Sequence, residues 1–308
     1  MFGRVLLKLA PSADGAALAS FVCLAAVTLY AASTETNFDD AQLISAVQSH
    51  VGDYGHLSET LVRQFNDTGM LVVPNILSAA ELNDARTSVQ RLVAEGRMLG
   101  AGDDMAAIRH DSTCFIRATD GTSAAATTEQ RGRAELGGGL LRCIALLRGA
   151  TTRLEALGYS RSTNHRVPLQ CQLALYAGDG HASYVAHRDA ADEDDFFQVG
   201  LLAWLKAADY RQRSITAILY LNEADWDSSP SQDGGRLTCY EGAHPQDIQG
   251  STATNVRYVN PAGGTLVLFD SRYLLHEVAP SHRGRMALTL WILGDKAVPK
   301  EKPVTVYP

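Results

Sequence analysis

The chain has 308 residues, 46% of them apolar and 20% charged, an ordinary globular mix that excludes wholesale disorder, collagen and coiled coil. Twenty-seven Lys and Arg against 34 Asp and Glu leave a formal charge of −7, which argues against nucleic acid as a partner because phosphate binding asks for a basic face. The cysteines Cys23, Cys114, Cys143, Cys171 and Cys239 form no C-x-x-C pair, so a zinc ribbon and a dense disulfide framework are excluded too.

Residues Gly15 to Ser33 carry no charge, with Arg4 and Lys8 before them and Glu35, Asp39 and Asp40 after. As a helix this stretch would rise about 28 Å, close to the hydrocarbon thickness of a bilayer. Basic residues on the N-terminal flank would hold that end in the cytoplasm. Residues 1–33 therefore read as a signal anchor, as a signal peptide ending at the small residues Ala31-Ala32-Ser33, or as an organellar transit segment. The first two place the protein in a membrane or a secretory lumen, the third in an organelle; a cytoplasmic location is the remaining alternative. Residues 34–54 read as a linker.

Residues 55–160 read as a helical support region. Leu57, Leu61, Val62 and Phe65 recur at helical spacing up to Gly69, and the apolar run Met70 to Val73 reads as a strand stopped by Pro74. Ser78-Ala-Ala-Glu81 is a capping box that opens a helix with Leu82, Ala85, Val89 and Leu92 on its apolar stripe. The Thr-, Ala- and Gly-rich residues 117–133 read as a surface loop, and Leu140 to Leu157 as a further helix stopped at Gly158.

From Pro168 the period changes. Gln170–Tyr176, Ser214–Leu221, Arg236–Tyr240, Gly264–Phe269 and Arg285–Leu293 are short β-type runs, parted by turns at Gly178–Gly180, Asp233–Gly235, Pro261–Gly264 and Pro280–Gly284. Such runs without interleaved helices predict a sandwich or small barrel over residues 161–298, with residues 299–308 as a tail. The fold class is thus α+β with a mainly β core. The acidic stretch that begins at Asp192 reads as an insertion between two strands.

His187-Arg-Asp189 sets an imidazole and a carboxylate at i and i+2 of an extended segment, and His276 follows the apolar run Thr265 to Phe269. Two His and one carboxylate from different strands match the facial triad of non-haem Fe(II) oxygenases, which leaves coordination positions open. Arg285 opens the apolar strand Met286 to Leu293, either as its solvated first residue or as a buried guanidinium that calls for an anion such as a dicarboxylate. Tyr220, on an inward-reading strand, reads either as an ordinary core tyrosine or as a hydroxyl donor to the same anion.

Tyr176-Ala-Gly-Asp-Gly, followed by Tyr184-Val-Ala-His187-Arg-Asp189, resembles the iron-binding segment of the oxygen-sensing (HIF-type) prolyl hydroxylases. The likeness continues through Arg213 to Asn222, Asp233-Gly-Gly235, Leu268-Phe-Asp-Ser-Arg272, His276-Glu-Val-x-Pro280 and Arg285-x-Ala-x-Thr-x-Trp291, with Ile108-Arg-His-Asp111 upstream. The resemblance implies a double-stranded β-helix (jelly-roll-like) and the cofactors Fe(II), 2-oxoglutarate, O2 and L-ascorbate. It implies peptidyl-proline hydroxylation on a protein or peptide substrate. His187, Asp189 and His276 would ligate iron; Arg285 and Tyr220 would hold 2-oxoglutarate with Thr216 lining that pocket; Tyr176 would sit near the metal and Trp291 would wall the site. The same cofactors acting on a small molecule or another side chain, and a catalytically silent binding module, are the other readings.

Overall fold

The computed structural model describes residues 35–39, 57–100, 108–119, 138–168, 170–190, 208–244, 247 and 249–296. Segment 15–33, insertion residues 192–207 and the tail lie outside the described residues. Among the described residues no helix is long and apolar enough to cross a membrane.

The N-terminal elements follow local chemistry closely. Helix α1 (Glu59–Thr68) is opened by Ser58, whose side chain accepts from Leu61 N, and closed by Gly69 at φ 74°. Only a residue free of Cβ crowding takes that left-handed turn cheaply. Strand β2 (Met70–Val73) follows at once. Helix α2 (Ala79–Ala94) carries the full Ser78–Glu81 capping box, and α3 (Gly138–Ala156) lies against it. A Cβ at Gly139 would fall 2.6 Å from Ala85 N, so the glycine is what permits this close approach.

Two sheets form the core. The larger runs in the order β1 (Glu35–Asp39), β4 (Asp111–Thr119), β6 (Gln170–Tyr176), β13 (Arg285–Lys296), β8 (Arg213–Tyr220), β11 (Leu266–Asp270), β2, with β3 (Leu99–Gly100) on β4 and β5 (Ser162–Arg166) on β13. The smaller runs β10 (Asn255–Val259), β9 (Leu237–Glu241), β12 (Leu275–Val278), β7 (Tyr184–His187). A short helix α4 (Ala208–Gln212) leads into β8. The fold is the double-stranded β-helix that the resemblance implies, antiparallel except where β1 joins β4 in parallel, with the helices on its outside.

Four strands of the major sheet thus precede residue 160: β1 stands within the stretch 34–54 expected as a linker, and β2, β3 and β4 stand within the expected helical region. The loop expected over residues 117–133 is strand at its start, since Arg117 pairs with Gln170 of β6 and Ala118 and Thr119 with β1 as part of β4; residues 120–133 lie outside the described residues. Strands β7 and β12 are four residues each, too short for a period-2 pattern to stand out from neighbouring turns.

Alternation along the central strands sorts side chains between two faces. On β13, Met286, Leu288, Leu290 and Ile292 join the cluster that packs on the helices, whereas Arg285, Ala287, Thr289 and Trp291 line a cavity between the sheets. The same split places Ile215, Ala217 and Leu219 of β8 on the helix side and Ile218 and Tyr220 on the inner side. Leu288 is fully buried at the middle of this arrangement. Leu288→Ala should cost about 2–5 kcal/mol through lost burial and a residual cavity; urea unfolding followed by circular dichroism measures it.

Candidate active site and metal centre

The site begins with a register. His276 on β12 lies directly opposite His187 on β7, but Val278 is opposite Tyr184, so β7 spends one residue more than β12 over the same stretch. This bulge breaks the alternation and turns both Tyr184 and His187 toward the interior. Their rings stack with centroids 3.8 Å apart, and the His187 and His276 rings lie 4.3 Å apart. Asp189 closes the group from the turn after β7. His187 Nε2 is 3.6 Å from Asp189 Oδ1, His276 Nε2 is 3.8 Å from Asp189 Oδ2, and the three ligand atoms all fall within 4.8 Å of one another.

Backbone carbonyls settle which ring nitrogen faces the centre. His187 Nδ1 lies 2.8 Å from Val185 O, and His276 Nδ1 lies 3.1 Å from Leu274 O. A carbonyl only accepts, so each Nδ1 carries the proton and each Nε2 presents a lone pair, the arrangement a metal ligand needs. Burial, aided by the neighbouring His187, pushes His276 down to about 4 despite the opposing pull of Asp189. His276 is therefore neutral at physiological pH, as metal ligation requires. For Asp189, burial acts to raise the carboxyl, but His276, His187 and Arg213 together hold it well below the usual carboxylate range.

Arg285 lies at the other end of the cavity and is only 2% exposed. Its Nε donates to Gly235 O at 2.9 Å and its Nη2 to the Tyr220 hydroxyl at 3.3 Å. Its guanidinium lies over the Tyr176 and Tyr220 rings, 4.8 and 4.9 Å from their centroids. Among the described residues no carboxylate comes within ion-pair range of it. A buried cation without a counter-ion is costly, so the pocket is built to receive an anion. Since Tyr220 accepts from Arg285, its own proton is left for a second acceptor. Gly235 holds φ 66°, and a Cβ there would meet Ser281 Oγ at 2.9 Å and Arg285 Cδ at 3.0 Å, so the glycine makes room for the arginine stem.

The structure parts from the resemblance at Thr216, and it sets Tyr176, expected near the metal, against Arg285. Thr216 does not line the pocket beside Arg285; its hydroxyl donates to Asp189 Oδ2 at 2.7 Å. Thr216 and Tyr220 share a face of β8, but four residues of strand separate them by about 13 Å, so only Tyr220 reaches the arginine. Trp291, paired with Thr216 across the sheet, lies at the metal end, where it lines the cavity and its ring covers Arg213 at 3.9 Å. Tyr176 pairs with Arg285 across β6 and β13 and is fully sequestered; burial, and Asp111 after it, push its hydroxyl well above the ordinary range.

Three contributors were not legible as site residues. Arg109 and Asp111 form a buried bidentate pair, and Arg109 covers the Tyr184 ring at 5.0 Å. Both stand in the upstream Ile108-Arg-His-Asp111 segment, which carried a likeness but no role. Tyr184 had a motif position, but only the bulge aims it at the cavity. One cavity, open on one side and lined by Arg109, Tyr176, Tyr184, His187, Asp189 and Arg285, joins the triad to the buried arginine.

Residues 171–293 match the family model described as the 2OG-Fe(II) oxygenase superfamily. The chain is 27% identical over 275 residues to the hypoxia-inducible factor prolyl hydroxylase of Caenorhabditis elegans, across 84% of this chain but 32% of the relative, so it spans about a third of that protein's length. Among solved structures it is similar to a prolyl hydroxylase from Trichoplax adhaerens bound to a hypoxia-inducible factor oxygen degradation domain peptide, with a TM-score of 0.51, 23% identity and coverage of 76% of this chain and 87% of the other. It is also similar to a Pseudomonas putida prolyl-4-hydroxylase, with a TM-score of 0.50, 24% identity and coverage of 77% and 98%. These likenesses establish the fold.

If the three ligand atoms act as one centre, His187→Ala and His276→Ala should each abolish stoichiometric binding of a divalent transition metal. Anaerobic titration with Co(II), read by visible absorption, tests this. Ala at His181 or His282, which lie in turns, should leave the titration unchanged.

Proposed function

We propose that the protein, whose residues 171–293 match the family model of the 2OG-Fe(II) oxygenase superfamily, is an Fe(II)- and 2-oxoglutarate-dependent dioxygenase that hydroxylates peptidyl proline. The observation that carries the chemistry is the pairing, in one cavity, of a His-Asp-His triad with a buried arginine that has no counter-ion among the described residues. The donor set, two imidazoles and a carboxylate, suits Fe(II), and the orphaned guanidinium suits a dicarboxylic cosubstrate. The prolyl hydroxylases among its relatives support proline as the target.

When bound, iron with 2-oxoglutarate and O2 supplies the oxidising power that places oxygen on a C–H bond while succinate and CO2 leave. The chain's own residues hold and shield that chemistry. His187 and His276 present Nε2 with their Nδ1 protons parked on carbonyls, and Asp189 supplies negative charge to the ion. Arg285 and Tyr220 grip the remote carboxylate, with the Tyr176 ring beneath the guanidinium. Ile218, Leu237, Val278 and Ala287 give the cavity apolar walls, which keep water from the reacting groups. Arg109, Tyr184 and Trp291 line the cavity on the metal side, where a substrate side chain must approach.

The decisive experiment is anaerobic binding of Fe(II) and 2-oxoglutarate, followed by turnover with proline-containing peptides. The expected result is succinate formation coupled to a one-oxygen mass gain on proline, absent from peptides with Ala in its place. Succinate without peptide oxidation would retain the dioxygenase chemistry and remove the proline assignment.

Removing one partner of a desolvated charge-assisted contact costs roughly 2–5 kcal/mol. Arg285→Ala should therefore weaken 2-oxoglutarate binding by about 30-fold to several thousand-fold, at roughly 1.4 kcal/mol per decade, with metal binding intact. Arg285→Lys should recover part of the loss, since an ammonium keeps the charge but not the planar fork. Arg283→Ala, in the turn and bound to Glu223, Asp225 and Asp233, should leave the affinity near wild type.

The uncharged span 15–33 and its basic-to-acidic flanks support a further reading, that this segment tethers or exports the catalytic core. Fractionation of cells carrying the full chain should find it with membranes or in a lumen. Recovery from soluble cytosol with an intact N-terminus would count against this.

A further inference from the structure

We propose that Ser271 and Thr216 form a directed hydrogen-bond relay that locks the Asp189 carboxylate in its metal-binding orientation and so sets the metal affinity of the site. The inference rests on the reading that the triad holds Fe(II), and it assigns positioning roles to two residues that touch neither cosubstrate nor metal.

Thr216 Oγ1 lies 2.7 Å from Asp189 Oδ2 and 2.8 Å from Ser271 Oγ. Both hydroxyl residues are fully buried, so water does not compete for them. Proton counting fixes the direction. Thr216 Oγ1 donates to Asp189 Oδ2, and a hydroxyl has one proton to give. The Thr216 proton therefore goes to Oδ2, and the contact between the hydroxyls is satisfied only if Ser271 donates to Thr216. A hydroxyl that itself receives a hydrogen bond is polarised into a better donor, so Ser271 strengthens the grip of Thr216 on the carboxylate.

Backbone contacts hold the far end. Ser271 N donates to Ser214 O at 3.1 Å, and Ser271 O accepts from Ala190 N at 3.0 Å. The path thus runs from the Asp189 side chain through Thr216 and Ser271 back to the residue that follows Asp189. The Asp189 carbonyl is held separately by Arg213 Nη1 at 3.1 Å. With one lone pair of Oδ2 engaged, Oδ1 is left turned toward His187. A carboxylate released from this ring is free to rotate and to offer both oxygens to the ion, which takes up a position that ligands need.

The test uses Co(II) titration of the full chain without oxygen, recording affinity and the visible spectrum for wild type, Thr216→Val, Thr216→Ser, Ser271→Ala and the control Thr151→Val. Loss of a ligand's orienting partner typically costs 10–100-fold in metal affinity, and Thr216→Val is expected to lose about that much and to change the Co(II) band shape. Thr216→Ser should restore both, Ser271→Ala should fall between, and Thr151→Val, buried in α3 away from the site, should match wild type. A Thr216→Val protein that is folded by circular dichroism and binds Co(II) like wild type overturns the relay, as does a Thr216→Ser protein that restores neither readout. Should Thr216→Val fail to fold, Ser271→Ala decides, and wild-type affinity there overturns the relay. Absence of Co(II) binding in the wild type is a different result: it removes the metal reading and the relay together.

Discussion

The pairing of β7 with β12 is the constraint on which the rest depends. His187 meets His276 across that pair, and the one-residue bulge decides that Tyr184 and His187 face inward together. A regular ladder would send one of them to solvent, because a one-residue slip exchanges faces. The bulge also brings a Tyr ring onto His187 and places Asp189 at the strand exit, within reach of both imidazoles. Four residues of strand thus assemble a centre whose ligands come from separate parts of the chain.

The second determinant is the placement of charge in a low-dielectric interior. Arg285 is buried on β13 with a backbone carbonyl and a tyrosine hydroxyl as partners, which satisfies some donors and leaves the charge uncompensated. Arg109 shows the opposite solution, being neutralised by Asp111 within the same cavity. One arginine is spent on architecture and the other is held ready for an anion. The energetic asymmetry between a paired and an unpaired buried cation separates these roles more surely than residue type does.

The major sheet can carry a costly site because its other face is invested in stability. Met286, Leu288, Leu290 and Ile292 alternate with the cavity residues of β13 and pack with Leu147 and Leu154 of α3 and Val62 and Phe65 of α1. Strand β2 seals the edge of the sheet beside β11. Burial on the helix side offsets the desolvation of polar groups on the inner side, so the helices act on the site through the rigidity of the strands that carry it.

Much of this was legible in the sequence. The capping box of α2, the strand Met70–Val73 and the runs that became β6, β8, β11 and β13 follow from periodicity and turn residues, because each depends on neighbours close in the chain; the triad and Arg285, far apart in sequence, were legible only through the order of motifs. The roles of Thr216, Ser271, Tyr184 and the Arg109–Asp111 pair were decided by tertiary structure alone. Their partners lie 27 and 55 residues away for Thr216, and for Tyr184 a bulge sets the direction of the side chain. The family motif placed Thr216 on the right face of the right strand, yet distance along that strand gave it to the carboxylate rather than to the arginine. Local sequence determines which residues are extended, capped or turned; which hydroxyl reaches which charge is settled only when strands register against one another, since hydrogen bonds act over about 3 Å.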